Sequence, residues 1–440
     1  MIFISAQPDE VYFIWQLEIQ LRNFQSLGIK KNKIHVVVGY NSEVGLKNDF
    51  NIFINNNLHL AEFFLYPDTR IHDNYLSSIR PHLLKKHWEK FPFLKSSCVF
   101  YHDSDILLSR IPNIDINRDI INYVSDTRSY LDSNYIISKS NISLLNKMVE
   151  LVGINVDKVL INDNHVGGAQ YILKNVASEF WSKVESDSEN IFDLLNDYNI
   201  NEKQKVINNS NYLPKEINAW YADMWALLWN LWYHNRKVEI HEEMNFSWPT
   251  SPIEYWTKNS ILHYAGDHED KSKYFYKRDY VNHVPWYDDE LGSIPNTNCS
   301  YPIVQFIKKR KQELDGQRLK LEYIRFFFKE NTSQKYFDKY FVEATNYYEI
   351  EISDNIIIPC NLVKYINNQF KNGDYKNLIF TKIYKVDQIF TKVFTKVLNS
   401  EILELNKGKF SLKNNSIIYK IKNIEGEKIL TITDEIYLLQ

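Results

Sequence analysis

The chain has 440 residues, 44% hydrophobic and 15% aromatic, enough for two or three domains with packed interiors. Its formal net charge of -3 offers no global attraction to nucleic acid or to an anionic membrane, so any phosphate recognition is local. Cys98, Cys299 and Cys360 are widely spaced and odd in number, which excludes a disulfide framework and a zinc pattern.

The amino terminus lacks a basic segment followed by a long apolar one, and no apolar run approaches the ~18 residues of a membrane span. A cytoplasmic protein without an integral membrane segment is expected. Ile2-Phe3-Ile4 reads as a buried strand. Pro8-Asp9-Glu10 then starts a helix with Asp9 as N-cap, apolar at Val11, Ile14, Leu17, Leu21 and Phe24 and stopped by Gly28. The strand Ile34 to Val38 follows, ended by Gly39, and another runs from Ala61 to Tyr66, halted by Pro67. Strands apolar on both faces and alternating with helices signify a mostly parallel α/β sheet.

A helix is predicted over 81–90, with Pro81 at its first position. The strand Cys98 to Tyr101 then delivers His102-Asp103-Ser104-Asp105, and Asn122 to Ser125 forms a further strand. A polar helical stretch (140–152) precedes the double glycine of His165-Val166-Gly167-Gly168-Ala169-Gln170-Tyr171, read as a turn before a helix through Phe180 and Trp181. The segment 191–211 reads as polar surface. Pro214 opens a buried aromatic helix holding Asp223 among tryptophans. Lys308-Lys309-Arg310-Lys311 starts an amphipathic helix continuing through Ile324 and Phe327. From about Tyr347, short Ile/Val/Tyr runs alternate with turns such as Asn372-Gly373-Asp374 and Glu425-Gly426-Glu427, a separate module without a catalytic motif.

Two carboxylates one residue apart at a strand exit suit a hard divalent cation, Mg2+ or Mn2+, whose open positions accept the oxygens of a diphosphate. The alternative is a polar turn closing the strand. His263, in His263-Tyr264-Ala265-Gly266, sits at a strand end where it can supply a third ligand or serve structure alone. Among Lys271, Lys273, Lys277 and Arg278, Lys277 is the candidate for stabilising negative charge on a departing diphosphate, and the others read as solvated. Asp223 either orients an acceptor hydroxyl or pairs inside the core. Gly167, Gly168 and Gln170 present backbone N–H groups and an amide to a sugar or phosphate, or form a tight structural turn. Asp126, with Arg128, either contacts the donor or makes a surface ion pair. Arg80 places a cation near the carboxyl edge of the sheet, where it contacts the donor or only accompanies helix entry.

In this order and spacing, the opening strand, Asp103-Ser104-Asp105, Gly167-Gly168-Ala169-Gln170-Tyr171, His263-Tyr264-Ala265-Gly266 and Phe275-Tyr276-Lys277 resemble the GT-A-fold glycosyltransferases, over residues 1–290 or so. The resemblance implies that Asp103 contacts the nucleotide ribose as well as the metal, while Asp105 and His263 bind the metal. It also implies a nucleotide-sugar donor, most simply a UDP-sugar, and an acceptor glycan or protein. The Gly-Gly-Ala-Gln-Tyr segment is similar to one in secretory-pathway transferases acting on peptide hydroxyls, whereas this chain shows no signal or anchor.

The expected protein is therefore a metal-dependent glycosyltransferase, hexosyl- or pentosyl-transferring; a retaining enzyme using the leaving phosphate as base is favoured, and an inverting one would need a carboxylate base beneath the sugar, for which Asp223 is the candidate. A GT-A-like α/β domain occupies residues 1–295, a helical connector 296–345 and a mixed or β-rich module 346–440. A nucleotidyltransferase is the enzymatic alternative, but Ser5-Ala6-Gln7-Pro8-Asp9 offers neither glycine nor lysine for a phosphate loop after the first strand. The non-enzymatic alternative is a scaffold, which loss of the two carboxylates would have favoured.

Overall fold

The apolar runs of the amino-terminal third pair side by side. A computed structural model describes residues 1–115, 121–208, 211–266 and 270–316, then 319–329, 334, 341–342, 348–353, 356–358, 360–371, 375, 377–386, 410–413, 417–420 and 429–439. The turns expected at 372–374 and 425–427 lie outside these residues. Two units make up the chain: Met1–Lys277 with Ser293–Ile303, and Arg278–Gly292 with Val304–Gln440.

In the first unit, β1 (Ile2–Pro8) lies parallel to β2 (Ile34–Asn41), with Phe3 opposite Ile34 and Ala6 opposite Val37. Between them runs α1 (Val11–Ser26). Its N-cap is Glu10, without a side-chain bond, and Asp9 instead accepts the Lys47 backbone N–H at 2.8 Å. After α2 (Asn48–Asn57) comes β3 (Glu62–Asp68), which contains Pro67 rather than ending before it. Because β3 is an edge strand, the missing donor costs little. Gly39 is likewise interior to β2: a Cβ there would lie 2.8 Å from Ile79 Cδ1, so α3 (Ile79–Lys90) packs on bare backbone. Pro81 is the third residue of α3, still among the N–H groups without an intrahelical partner.

Next come β4 (Val99–Tyr101), β5 (Ile106–Leu108), β6 (Ile121–Asp126), four short helices α4 to α7 (Arg128–Leu131, Ser133–Lys139, Ile142–Val152, Val156–Ile161) and β7 (Gly167–Leu173). The helices α8 (Ser178–Asn208) and α9 (Ala222–Tyr233) and the strand β8 (Lys237–Ile240) follow. The sheet order is β3-β2-β1-β4-β7-β6-β8, parallel except where β7 runs against β4 and β6. This is the expected mostly parallel α/β sheet flanked by helices. One face is covered by α3, α8 and α9 around Trp88, Trp181, Trp225 and Trp229, and the other by α1 and α2 around Phe24, Phe50 and Phe53.

Two expected elements fold differently. The stretch from Ile191, read as surface, continues α8 as far as Asn208, with Ile191 and Leu195 fully buried. Pro214 precedes the aromatic helix without opening it. A second, three-stranded sheet, β5-β10-β9, sits beside the main one and is built from β5, β9 (Phe246–Ser247) and β10 (Ile261–His263).

The second unit is mixed α/β. The helix expected from Lys308 is present as Ser300–Gly316 but ends there, and Ile324–Phe328 is instead a strand paired parallel with Tyr348–Ile352. Asn377–Val386 pairs parallel with Ile429–Leu439. Helix Cys360–Phe370 turns Leu362, Val363, Ile366 and Phe370 inward, onto a core that includes Ile350 and Phe380. Among the described residues, no helix is long and apolar enough to cross a membrane.

Candidate active site

The Asp-Ser-Asp segment links β4 to β5, and nearly every polar group in it has a fixed partner. The Asp103 N–H donates to Gln170 Oε1 at 3.0 Å, and the Asp103 carbonyl accepts from Gln20 Nε2 at 2.8 Å and His102 Nδ1 at 2.9 Å. Ser104 Oγ donates to Gln16 Oε1 at 2.8 Å, while the Asp105 carbonyl accepts the Tyr264 N–H at 3.0 Å. Asn23 closes the far end by exchanging two bonds with the Leu108 backbone, at 2.7 and 2.9 Å. Gln16, Gln20 and Asn23 thus form a buried amide row on α1, spaced to lie along one helical face. A loop held this way presents its carboxylates without first losing conformational entropy.

His263 arrives by strand pairing. β10 runs antiparallel to β5 with His263 opposite Ile106, next to Asp105. Its Nε2 stands 3.3 Å from Asp105 Oδ1 and 3.5 Å from Asp103 Oδ2, and Trp248 stacks on the imidazole at 5.7 Å between ring centres. One ligand atom from each of Asp103, Asp105 and His263 lies within 4.8 Å of the others.

Two cations border the group. Lys277 Nζ donates to Asp105 Oδ2. Arg80 forks, one nitrogen donating to Asp103 Oδ1 and another to Asp223 Oδ2, each at 2.6 Å. Burial works to raise both motif carboxyls. At Asp105, Lys277 and His263 overcome it and hold the group far below the usual carboxylate range, whereas at Asp103 burial outweighs Arg80 and pushes the carboxyl up. The Asp105 side chain is 6% exposed and that of Asp103 20%, so Asp103 is the one nearer solvent.

The donor set suits the expected ion. Two carboxylates and an imidazole are intermediate-to-hard ligands of the kind Mn2+ and Mg2+ accept, and three protein ligands leave positions for diphosphate oxygens. Formally, the carboxylates of Asp103, Asp105 and Asp223 outnumber the Arg80 and Lys277 cations by one, so the cluster has negative charge left for a cation to meet.

No family model and no curated protein matches the chain. Among solved structures, it is similar to an active-site mutant of the galactosyltransferase LgtC, with a TM-score of 0.36 and 11% identity over 70% of this chain and 96% of that one. It is also similar to the bifunctional glycosyltransferase WbbM in its apo form, with a TM-score of 0.33 and 13% identity over 70% of this chain and 51% of WbbM. A third is GlyE, a glycosyltransferase of Streptococcus pneumoniae, at 0.30 and 9% over 76% of this chain and 70% of GlyE. These neighbours are glycosyltransferases, but likenesses so slight carry no argument about this chain.

The remaining candidates divide. Asp223, on the first turn of α9, joins the cluster through Arg80, and its other oxygen accepts the Tyr75 hydroxyl at 2.8 Å. Gln170 reaches Asp103 with both ends of its amide, Nε2 lying 3.5 Å from Oδ2. Asp126 makes a two-bond fork with Arg128, at 3.0 and 2.7 Å, on the surface. Lys273 is largely exposed and pairs with Asp270.

Gly167 and Gly168 are not a turn before a helix but the start of β7, opposite Asp126 and Ser125. A Cβ on Gly167 would stand 2.2 Å from Val124 Cγ2 and 2.4 Å from the Ser125 carbonyl, so strand packing alone demands glycine there. The left-handed residue is Ala169, at φ 63°, beside the register shift in the β6–β7 pairing, as in a β-bulge. That bulge directs Gln170 to the Asp103 backbone. Sequence reasoning missed Gln16, Gln20, Asn23, Trp248 and Tyr75. The amide row was visible as polar residues interrupting the apolar face of α1, while Trp248 and Tyr75 left no such signal.

Proposed function

We propose that this protein is a metal-dependent glycosyltransferase that moves a sugar from a nucleotide sugar, most simply a UDP-sugar, to an acceptor hydroxyl. The observation that carries this reading is the convergence of Asp103, Asp105 and His263 between two cations at the carboxyl edge of an α/β sheet. In this reading those three residues hold Mn2+ or Mg2+, which when bound neutralises the donor diphosphate. Lys277 lies beside Asp105, where its ammonium stabilises the charge that develops as the nucleotide diphosphate leaves. Burial works against charging Lys277, but Asp105 outweighs it and raises the ammonium pKa, so the cation persists at neutral pH.

Asp223 has both oxygens engaged, one by Tyr75 and one by Arg80. A carboxylate with both oxygens taken is placed to orient its partners rather than to meet an acceptor hydroxyl. The reading therefore assigns Asp223 to orienting Arg80, and Arg80 with Gln170 to fixing Asp103 against the donor. Because Asp223, the carboxylate the sequence offers as a base, has both oxygens bonded, the reading passes the acceptor proton to the departing phosphate oxygen, which corresponds to retention of anomeric configuration.

The test is incubation with a panel of UDP- and GDP-sugars plus Mn2+, following released nucleotide and thermal shift. One donor is expected to stabilise the fold and be consumed, and Asp105→Ala to abolish both effects. If no nucleotide sugar stabilises the fold and Asp105→Ala changes nothing that metal does to the protein, the reading is wrong.

A further inference from the structure

Beside α9, the first unit has a cleft of about 460 Å3 whose lining includes Phe192, Asn196, Glu216, Asn218 and Trp220. Trp220 is 52% exposed, whereas Trp225, Trp229 and Trp232 of the adjoining helix are buried. Its backbone is held from two sides: Asn218 Oδ1 accepts its N–H at 3.1 Å, and its carbonyl lies 2.7 Å from the Tyr75 hydroxyl, whose single proton it shares with Asp223. An indole held in place and left facing solvent retains apolar area that a ligand can cover.

Around this ring stand polar groups with bonding capacity to spare. The Asn196 side chain makes none of the described hydrogen bonds, and Asn218 uses only its oxygen, as a cap. Glu216 meets Lys203 at 3.2 Å at the surface. Amides donate and accept, and a carboxylate accepts. A pyranose has the complementary form, with C–H groups on one ring face and hydroxyls around the rim. Stacking the ring face on Trp220 turns the rim hydroxyls toward Asn196, Asn218 and Glu216. A nucleotide also has a flat face, but its phosphates call for unpaired cations, and the lining residues supply none, the neighbouring Lys203 being paired with Glu216.

The cleft is joined to the Asp103 group through Tyr75. The Tyr75 ring stacks on Phe192 at 4.5 Å and meets Trp220 edge-on at 5.9 Å, while its hydroxyl donates to Asp223, the partner of Arg80. We propose that this cleft is the acceptor subsite and that the acceptor is a glycan, one pyranose of which stacks on Trp220. The assignment of the saccharide as acceptor rests on the glycosyl-transfer reading; its binding to the cleft is measurable without any donor.

The experiment is saturation-transfer NMR and calorimetry on the full chain, without metal or nucleotide. The probes are methyl glycosides of glucose, galactose, mannose and N-acetylglucosamine and their β-linked disaccharides. At least one saccharide is expected to bind. Trp220→Ala should weaken it by about tenfold or more, Trp220→Phe by less, and Asn196→Ala by about threefold. Trp220→Ala should leave the thermal shift produced by UDP with Mn2+ at its wild-type value, which also reports that the variant is folded. Absence of binding by every saccharide, or binding that Trp220→Ala leaves intact, overturns the proposal. Saccharide binding lost in Trp220→Ala with its unliganded melting temperature at the wild-type value, in a protein that no nucleotide sugar stabilises, supports the cleft as a saccharide site and rejects the transferase reading instead.

Discussion

Arg80 and Asp223 form a 2.6 Å ion pair between the first turns of two helices, and the same guanidinium holds Asp103 at 2.6 Å. One fork thus ties α3 and α9 to the candidate metal site. Removing it leaves two carboxylates without their cation. Arg80→Ala should cost roughly 2 kcal/mol, less than a fully buried pair because the guanidinium is partly exposed. Arg80→Ala combined with Asp223→Asn should recover about half of that loss, since one unpaired charge is removed as well. Urea denaturation of the two variants checks the expectation.

Two glycines should respond to alanine for different reasons. At Gly167 the new methyl meets Val124 and the Ser125 carbonyl at distances no side chain adopts, so Gly167→Ala should cost about 3 kcal/mol and disturb the β6–β7 pairing. Gly28 faces open space but has φ 76°, so Gly28→Ala should cost only about 1 kcal/mol, for the left-handed backbone. Thermal unfolding of both variants separates steric from conformational cost.

Acid should destabilise the first unit through a buried histidine pair. His35 Nδ1 lies 2.9 Å from His87 Nε2, and the Tyr66 hydroxyl lies 2.9 Å from His87 Nδ1. Burial pushes the His35 pKa down to about 4 and that of His87 to about 3, the latter aided by His35 and Lys90. In the unfolded chain both titrate near ~6.5. Their contribution is therefore complete above that value and is lost as pH falls toward 4, because the unfolded chain takes up protons the folded one refuses. Each histidine contributes a slope of about 1.4 kcal/mol per pH unit between those limits. Urea midpoints at pH 7.5 and 5.5 should differ accordingly, and His87→Gln should reduce the difference.

Much of the architecture was legible because β1, β2 and β4 are buried on both faces and read as apolar runs, and because a strand exit with two aspartates is a local pattern. The grouping of Asp103, Asp105 and His263 was reachable from chemistry, although the β5–β10 register that brings them together was not. Composition misled at 191–208, where Asn, Asp and Glu dominate; the apolar spacing of Ile191 and Leu195 was the surviving helical signal. Pro67 misled because edge position, which decides whether a strand tolerates proline, is a tertiary property. The Arg80–Asp223 fork was hidden for a similar reason. Each residue had a plausible local account as helix entry or core polar group, and only packing of α3 near α9 joins them.

The most direct measurement is binding of Mn2+ to the full chain, with free ion counted by electron paramagnetic resonance in the absence and presence of UDP. Wild-type protein should bind Mn2+, UDP should tighten that binding, His263→Ala should weaken it by at least about tenfold, as loss of a direct ligand costs no less than loss of the outer-shell partners that orient one, and Asp105→Asn should abolish the effect of UDP while remaining folded. Binding of Mn2+ and UDP by Asp105→Asn at wild-type strength would contradict the assignment of this cluster as the metal and donor site.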